Sequence, residues 1–257
     1  MKPRLETTVF GLLHLGAIGA GFTTPARPWT GVVAFLIYGF CVGGGYHRLF
    51  AHRSFEMTAV VSSVVAWLGT AVLMRGPLWW VSHHRRHHRV ADSPLDLGSP
   101  HVVGFRIAYF GGGDLSVRSN ILREEVPDLS SDRYLEFLER YRYLPAVSVI
   151  LISYALGGWP ALLWAYALPA TAVLHGLCWI NSVSHLYGWR THGTPDRSTN
   201  SLIVSIFTLG EGWHNNHHAH PARVKFGRGL TQPDPVYWMI RALSAVRLAR
   251  TPRESGS

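Results

Sequence analysis

Nine of the 15 histidines in this chain fall into four tight groups whose spacing suits metal ligation. The groups are His47 with His52; His84, His87 and His88; His185, with Asn181 four residues before it; and His214, His217 and His218. On an α-helix, residues three and four apart share a face. His84, His87 and His88 are therefore expected to aim at one point, and so are His214, His217 and His218. His47 and His52 are five apart, a spacing that a straight α-helix does not bring together. One is expected in the last turn of a helix and the other in the turn after it. Neutral imidazole is the commonest side-chain metal ligand. Nine exceed the roughly four to six ligands of one ion and suffice for two. The implied chemistry is that of a dinuclear transition-metal site.

A ligating histidine usually donates its other N–H to a carboxylate, a carbonyl or water. Glu211, one turn before His214, is the best candidate for such a partner. Asp92 and Asp96 are further candidates, with loop capping around Pro94 as their alternative role. His14 and His175 lie inside apolar stretches, where packing or a hydrogen bond is expected. His83 points about 100° away from His84 on a helix. His101, His192 and His220 are expected at the surface or behind the ligands. All-nitrogen ligation suits zinc, copper, iron or nickel. Cys41 and Cys178 sit in separate apolar stretches and read as small core residues, with no disulfide scaffold and no Cys/His zinc pattern.

The elements that position these groups are apolar. The chain has 257 residues, 12% aromatic and 15% charged, and its mean hydropathy is positive, which favours an integral membrane protein. Membrane spans are expected at about 7–24, 29–46, 143–158 and 160–184, with a turn at Thr24–Pro28 and another at Gly157–Pro160. Residues 58–74 are apolar too. As a full crossing they would put the second histidine group on the opposite side from the first, so they are expected to lie at the membrane interface. A glycine break at Gly111–Gly113 and a surface helix over Ser130–Arg142 follow, and the tail from Arg253 is expected to lack fixed structure. Two hairpins of two spans each place both termini and every histidine group on one side. Of the 24 Lys and Arg residues, that topology leaves only Arg27 on the far side, so the common side is cytoplasmic by the positive-inside rule. The fold class is all-α integral membrane: four transmembrane helices under a cytosolic helical cap formed by 47–142 and 185–250, in one domain. The rival reading of the first stretch, a signal peptide after Lys2 and Arg4, would split the histidine groups across the bilayer. The net charge of +9 follows from this asymmetry, and nucleic acid is not an expected partner.

The motifs HRLFAH, HRRHH and GEGWHNNHH, in that order, with NSVSHLYG carrying Asn181 and His185, resemble the histidine boxes of the integral-membrane fatty acyl desaturases of the stearoyl-CoA Δ9 type. The resemblance covers roughly Gly44–Pro221. It implies two iron ions held by the nine histidines, with Asn181 acting through a water, and O2 as co-substrate. The implied reaction removes two hydrogens from an unactivated CH2–CH2 pair of an acyl chain. Such C–H bonds are not acidic, so acid–base groups cannot start the reaction, and a metal–oxygen oxidant with two external electrons can. The substrate implied is an acyl-CoA or another acyl thioester. The chain departs from the family pattern at Asp96–Ser99, at Arg106–Gly113 and at Trp179, two residues before Asn181. The first of these touches the region that in the family lies near the head-group entrance, and leaves acyl carrier protein and lipid-bound acyl groups open.

The acyl tunnel is expected to end against the second span. Phe35 lies twelve residues before His47, about 18 Å at about 1.5 Å per residue, and would shorten the tunnel if it projects into it. No His-Pro-Gly-Gly motif of a fused cytochrome b5 domain is present. Electrons are expected from a separate ferredoxin with its reductase, or from cytochrome b5. Arg85, Arg86, Arg89, Arg223, Lys225 and Arg228 could dock an acidic carrier, lipid phosphates or a substrate phosphate. Competing functions are hydroxylation, epoxidation or acetylene formation at the same site, polyhistidine metal transport or storage, and a zinc hydrolase using Glu211 as base.

Overall fold

The computed structural model describes residues 3–22, 25–110 and 120–251, with side chains from Thr8 onward. The expected glycine break at Gly111–Gly113, the tail from Arg253, Lys2 and Thr24 lie outside the described residues.

Helix α1 spans Pro3–Ala20 and α2 spans Pro28–Phe40, with proline in its first turn, where the missing N–H costs nothing. The chain then stays helical, but as a π-helix over Cys41–Ala51. His47 lies in the last turn of this helix and His52 caps it, as expected, but the sequence does not reveal the helix type. In a π-helix the bond runs from residue i to i+5, and the His52 amide donates to the His47 carbonyl at 3.1 Å. A five-residue spacing is thus one π turn, and both imidazoles reach the same place. Glycine permits the close packing this segment needs. A Cβ at Gly43 would lie 2.9 Å from Glu211 Oε1, and one at Gly45 would collide with Val65.

Helix α3 (Ala59–Ala71) packs on the π segment and leads into α4 (Pro77–Val90), which carries the second histidine group. Two short helices follow, α5 (Pro100–Val103) and α6 (Phe105–Phe110). The expected surface helix is α7 (Arg133–Arg140), capped by Asp132, which accepts from the Tyr134 and Leu135 amides. It is amphipathic: Leu135 and Leu138 are buried against Val72, Leu78 and Val81.

Helix α8 (Leu144–Leu162) is broken at Gly157 and Gly158. Gly158 has φ +62°, a region that glycine enters without penalty. The chain reverses there: Tyr143, Ala146 and Ile150 on one side of the break and Leu163, Tyr166 and Ala167 on the other line one apolar cavity of about 560 Å³. Arg27, at the start of α2, lies beside Gly157. A second π segment (Leu163–Ala167) precedes α9 (Leu168–Ser182), which ends in a 3-10 turn at Val183–His185. Among the described residues two stretches are long and apolar enough to cross a membrane, Pro28–Ala51 and the broken Leu144–His185; Thr8–Ala20 and Ala59–Ala71 are shorter apolar helices.

Helices α10 (Leu202–Phe207), α11 (His214–Ala219) and α12 (Pro235–Ala245) complete the fold. The all-α expectation needs one small correction. β1 (Glu56–Met57) pairs antiparallel with β2 (Ala249–Arg250), tying the end of the chain to the entry of α3. A second core joins the π segment to α12 through Cys41, Val65, Leu209, Val236 and Ile240. Both cysteines are free.

Candidate metal centre

The nine histidines converge on two points. His47, His52, His84, His88 and His217 form one group, and His87, His185, His214 and His218 the other; within each group the ligand atoms lie within 4.8 Å of one another. The Nε2 atoms face inward. In the first group His47 to His217, His52 to His84, and His88 to His217 are 2.9, 2.8 and 2.9 Å apart. In the second, His214 is 3.0 Å from both His185 and His218.

The grouping differs from the expected one. Sequence spacing put each histidine triplet on a single point, yet each triplet is divided. The i, i+4 pairs stay together, His84 with His88 and His214 with His218. The residue at i+3 goes to the other group: His87 joins the pair from α11, and His217 joins the pair from α4. The reason is angular. At about 100° per residue, i+3 and i+4 leave a helix on opposite sides of residue i. Two facing helices can therefore each supply both points.

Behind four of the nine imidazoles stands a carboxylate at Nδ1. Asp96 takes the bond from His87 at 2.8 Å and Asp92 that from His185 at 2.9 Å. Both aspartates also hold their own loop, Asp96 through the Gly98 and Asp92 amides and Asp92 through the Ser99 hydroxyl, and Asp92 accepts as well from the Arg197 amide of a remote loop. Support and loop capping thus coexist. Glu211 lies in the turns before α11 and supports His47 rather than His214. The fourth carboxylate, Asp196, accepts from His218 at 3.1 Å. Asp196 carried no visible signal in the sequence, because it lies 22 residues before His218 in an irregular loop. Also missed was Arg48, inside the first histidine motif. It is fully buried, bonds Glu211 at 2.7 Å and Asp234 at 2.9 and 3.0 Å, and lies over the Phe226 ring.

At six of the imidazoles these surroundings favour the neutral form that metal ligation requires. Burial, reinforced by neighbouring imidazoles, drives His52, His84, His88, His214 and His217 well below the ordinary histidine range. Burial also lowers His218 to about 4, even against the opposing pull of Asp196. Burial works against ionisation of Asp196, but its bonds to His218 and Ser198 outweigh that and hold its carboxyl below the usual range. The Nδ1 atoms of His214 and His217 are buried without a hydrogen-bond partner.

The family model for fatty acid desaturases matches residues 27–228. The chain belongs to the fatty acid desaturase family. An sn-2 palmitoyl-lipid 9-desaturase of Nostoc sp. (strain 36) is 32% identical over 96% of this chain and 88% of its own length. An sn-1 stearoyl-lipid 9-desaturase of Anabaena variabilis is 33% identical over 96% of this chain and 94% of its own. An acyl-CoA 5-desaturase of Anemone leveillei is 33% identical over 93% of this chain and 76% of its own.

Beside the first histidine group this desaturase has a narrow slot of about 20 Å³. Phe35, Gly43, Gly176, Ile180, Phe207 and Glu211 are among the residues that line it. The wider π coil shortens the depth of Phe35 below His47. Asn181 lies one turn before His185 and is exposed, whereas His185 is buried. His83 stacks on Trp79 and bonds its carbonyl, outside both groups. His101 bonds the His185 carbonyl at 2.7 Å. The basic face is smaller than the sequence implied. Arg85 is held by Asp128 at 2.7 and 3.0 Å, and Arg89 by Glu125. Arg223 and Arg228 are exposed.

The carboxylates make a direct prediction. Asp196→Ala frees Nδ1 of His218 and should lower affinity at the four-nitrogen group by about 10- to 100-fold. Metal titration followed by elemental analysis would measure this; unchanged retention under chelator challenge would refute it.

Proposed function

We propose that this protein is an O2-dependent di-iron desaturase that introduces a double bond into a fatty acyl chain. The observation that carries the reading is the convergence of nine imidazole nitrogens on two points beside an apolar slot. The donors fit a pair of metal ions. Two bonds of about 2.1 Å at right angles leave their nitrogens about 3.0 Å apart, which matches the Nε2 separations of 2.8–3.0 Å. His47, His52, His84, His88 and His217 would hold one iron. His87, His185, His214 and His218 would hold the other, with Asn181 reaching it through a water. The ions, when bound, supply the oxidation of an unactivated C–H bond by O2 with external electrons.

The protein's own residues do the positioning. Glu211, Asp92, Asp96 and Asp196 fix ring orientation and tautomer, so each Nε2 lone pair points inward. In this reading the slot marks the path of the acyl chain, with Phe35 among the residues that bound it. Its width admits a hydrocarbon chain only after side chains shift. A CoA thioester is the first candidate for the substrate, and a lipid-bound acyl group the second; among the relatives both classes are named.

The same reading includes a four-span topology. In it, α1, α2 with its π segment, and the two arms of the Leu144–His185 hairpin cross the bilayer, with both termini and the metal site facing the cytoplasm. Only 11% of the most apolar window of that hairpin is covered by protein, and Leu151, Ile152 and Leu156 face outward. Exposed apolar surface on this scale calls for a lipid covering. A separate carrier, a ferredoxin with reductase or cytochrome b5, would deliver electrons at the exposed Arg223 and Arg228.

Mass spectrometry tests the function. Membranes holding the protein, iron and a ferredoxin system would be given perdeuterated acyl-CoAs and acyl-lipids of several lengths. Loss of two deuteriums from one chain is the expected result. Gain of one oxygen would move the assignment to hydroxylation or epoxidation. The slot adds a second expectation: Phe35→Ala should shift the preferred chain length upward by a few carbons. An unchanged length profile would show that Phe35 does not bound the substrate.

A further inference from the structure

Away from the histidine groups, one chain of hydrogen-bonded side chains runs between the apolar helices. His14 on α1 and His175 on α9 meet at Nε2, 2.8 Å apart. Nδ1 of His14 lies 2.7 Å from the Phe10 carbonyl, which can only accept. His14 therefore carries its proton on Nδ1 and accepts at Nε2. His175 must donate from Nε2, which leaves its Nδ1 to accept from the Tyr109 hydroxyl, 2.8 Å away on α6. Every member is satisfied by this one assignment of protons. Trp179 lies one turn after His175 on α9, the helix against which α6 and its Tyr109 pack. Trp179 meets Phe207, ring centroids 5.5 Å apart, and Phe207 lines the slot. An aromatic path thus leads from the slot to a tyrosine whose proton already has an acceptor.

We infer that Trp179 and Tyr109 form an outlet for oxidising equivalents that escape from the slot, with His175 and His14 taking up the tyrosine proton. This rests on the reading of the site as one that reacts with O2. Tryptophan and tyrosine are the side chains most easily oxidised by one electron, and a tyrosine yields a stable neutral radical only when its proton can leave. When no acyl chain fills the slot, the O2-derived oxidant has no C–H bond to attack and the protein is the nearest reductant. One electron then passes from Tyr109 through Trp179 to that oxidant, which is reduced by one electron. The O–H proton of Tyr109 moves to His175 Nδ1, and the His175 Nε2 proton moves to His14 Nε2. The positive charge ends on His14, whose Nδ1–H still bonds the Phe10 carbonyl. An electron from the enzyme's own donor restores Tyr109, and the protons return. Ionisable groups between apolar helices are expected to serve a function and to have a partner, and a simple latch between helices would need no path to the slot.

The test is freeze-quench electron paramagnetic resonance on the purified, full-length, iron-loaded protein, mixed with O2 and reductant without acyl substrate. The expected result is a tyrosyl radical that disappears in Tyr109→Phe and falls several-fold in His175→Leu. Tyr109→Phe should also shorten the time to self-inactivation. The chain has ten tyrosines, so the assignment depends on the variant. A second arm oxidises the same samples photochemically with a ruthenium complex and so does not depend on O2 chemistry; the radical should again settle on Tyr109. No tyrosyl radical in the wild type, or an equal signal in Tyr109→Phe, would overturn the outlet. If such a sample still converts acyl chains to product, the desaturase reading stands without it. If no product forms while the photochemical radical does settle on Tyr109, the oxygen-dependent reading fails and the tyrosine–histidine acceptor chain stands.

Discussion

His217→Ala should leave one metal ion per chain instead of two and abolish product formation. His217 is fully buried and touches two other members of the five-nitrogen group, His47 and His88, each at 2.9 Å. Its loss removes one ligand and also the central contact that spaces two more. Changing a partner behind a ligand costs about 10- to 100-fold in metal affinity, so removing this ligand should cost more than about a hundredfold. The four-nitrogen group does not use His217 and should keep its ion. Elemental analysis together with a product assay measures both quantities. Two ions retained with activity intact would remove His217 from the site. Loss of both ions, with secondary structure unchanged by circular dichroism, would show that the groups fill only as a unit.

Glu211→Ala should have the second large effect, on stability as well as metal. Glu211 supports His47 and shares Arg48 with Asp234. Burial opposes its ionisation, but Arg48 and His47 hold its carboxyl below the usual range. Removing one partner of a buried ionic group leaves an uncompensated charge, at a cost of about 3–5 kcal/mol. Here Asp234 still faces Arg48, so the lower end of that range is expected. A fall in Tm of about 6–12 °C follows for a chain of this size, and the five-nitrogen group should lose affinity. Glu211→Gln keeps the volume and an acceptor for His47 but not the charge facing Arg48, so it should recover more of the metal affinity than of the Tm. Thermal unfolding with metal titration of both variants checks this. Equal Tm in Glu211→Ala and wild type would mean that Arg48 is adequately held without it.

Much of the centre was legible because its chemistry is local in sequence. All nine histidines announced themselves by spacing, and Asp92 and Asp96 by nearness to a ligand group. Whatever depended on helix type or on the meeting of distant segments was not legible. The five-residue interval between His47 and His52 looked like a fault, because the backbone coils more widely there than an α-helix. The division of each triplet was hidden because one helix viewed alone has no second target. Asp196 and Arg48 were missed for a related reason. Each acts on a histidine motif that is remote in the chain or, in the case of Arg48, through a carboxylate that is itself remote. In the fold, the apolar periodicity located the helices well. The antiparallel clasp of Glu56–Met57 with Ala249–Arg250 is too short to leave any pattern.

His87 and His88 are neighbours in the chain, as are His217 and His218, yet in each pair the two side chains serve different groups. Among the described residues neither group contains a carboxylate, so no carboxylate bridges one point to the other. The gap between them is instead gauged twice, by the step from one residue to the next on α4 and on α11, with consecutive Cα atoms about 3.8 Å apart. Two rulers, laid against each other, set the same interval. A metal pair spaced by a bridge can be retuned by exchanging that bridge. Here the interval belongs to the backbone, and only a change in the pitch or mutual tilt of the two helices could alter it.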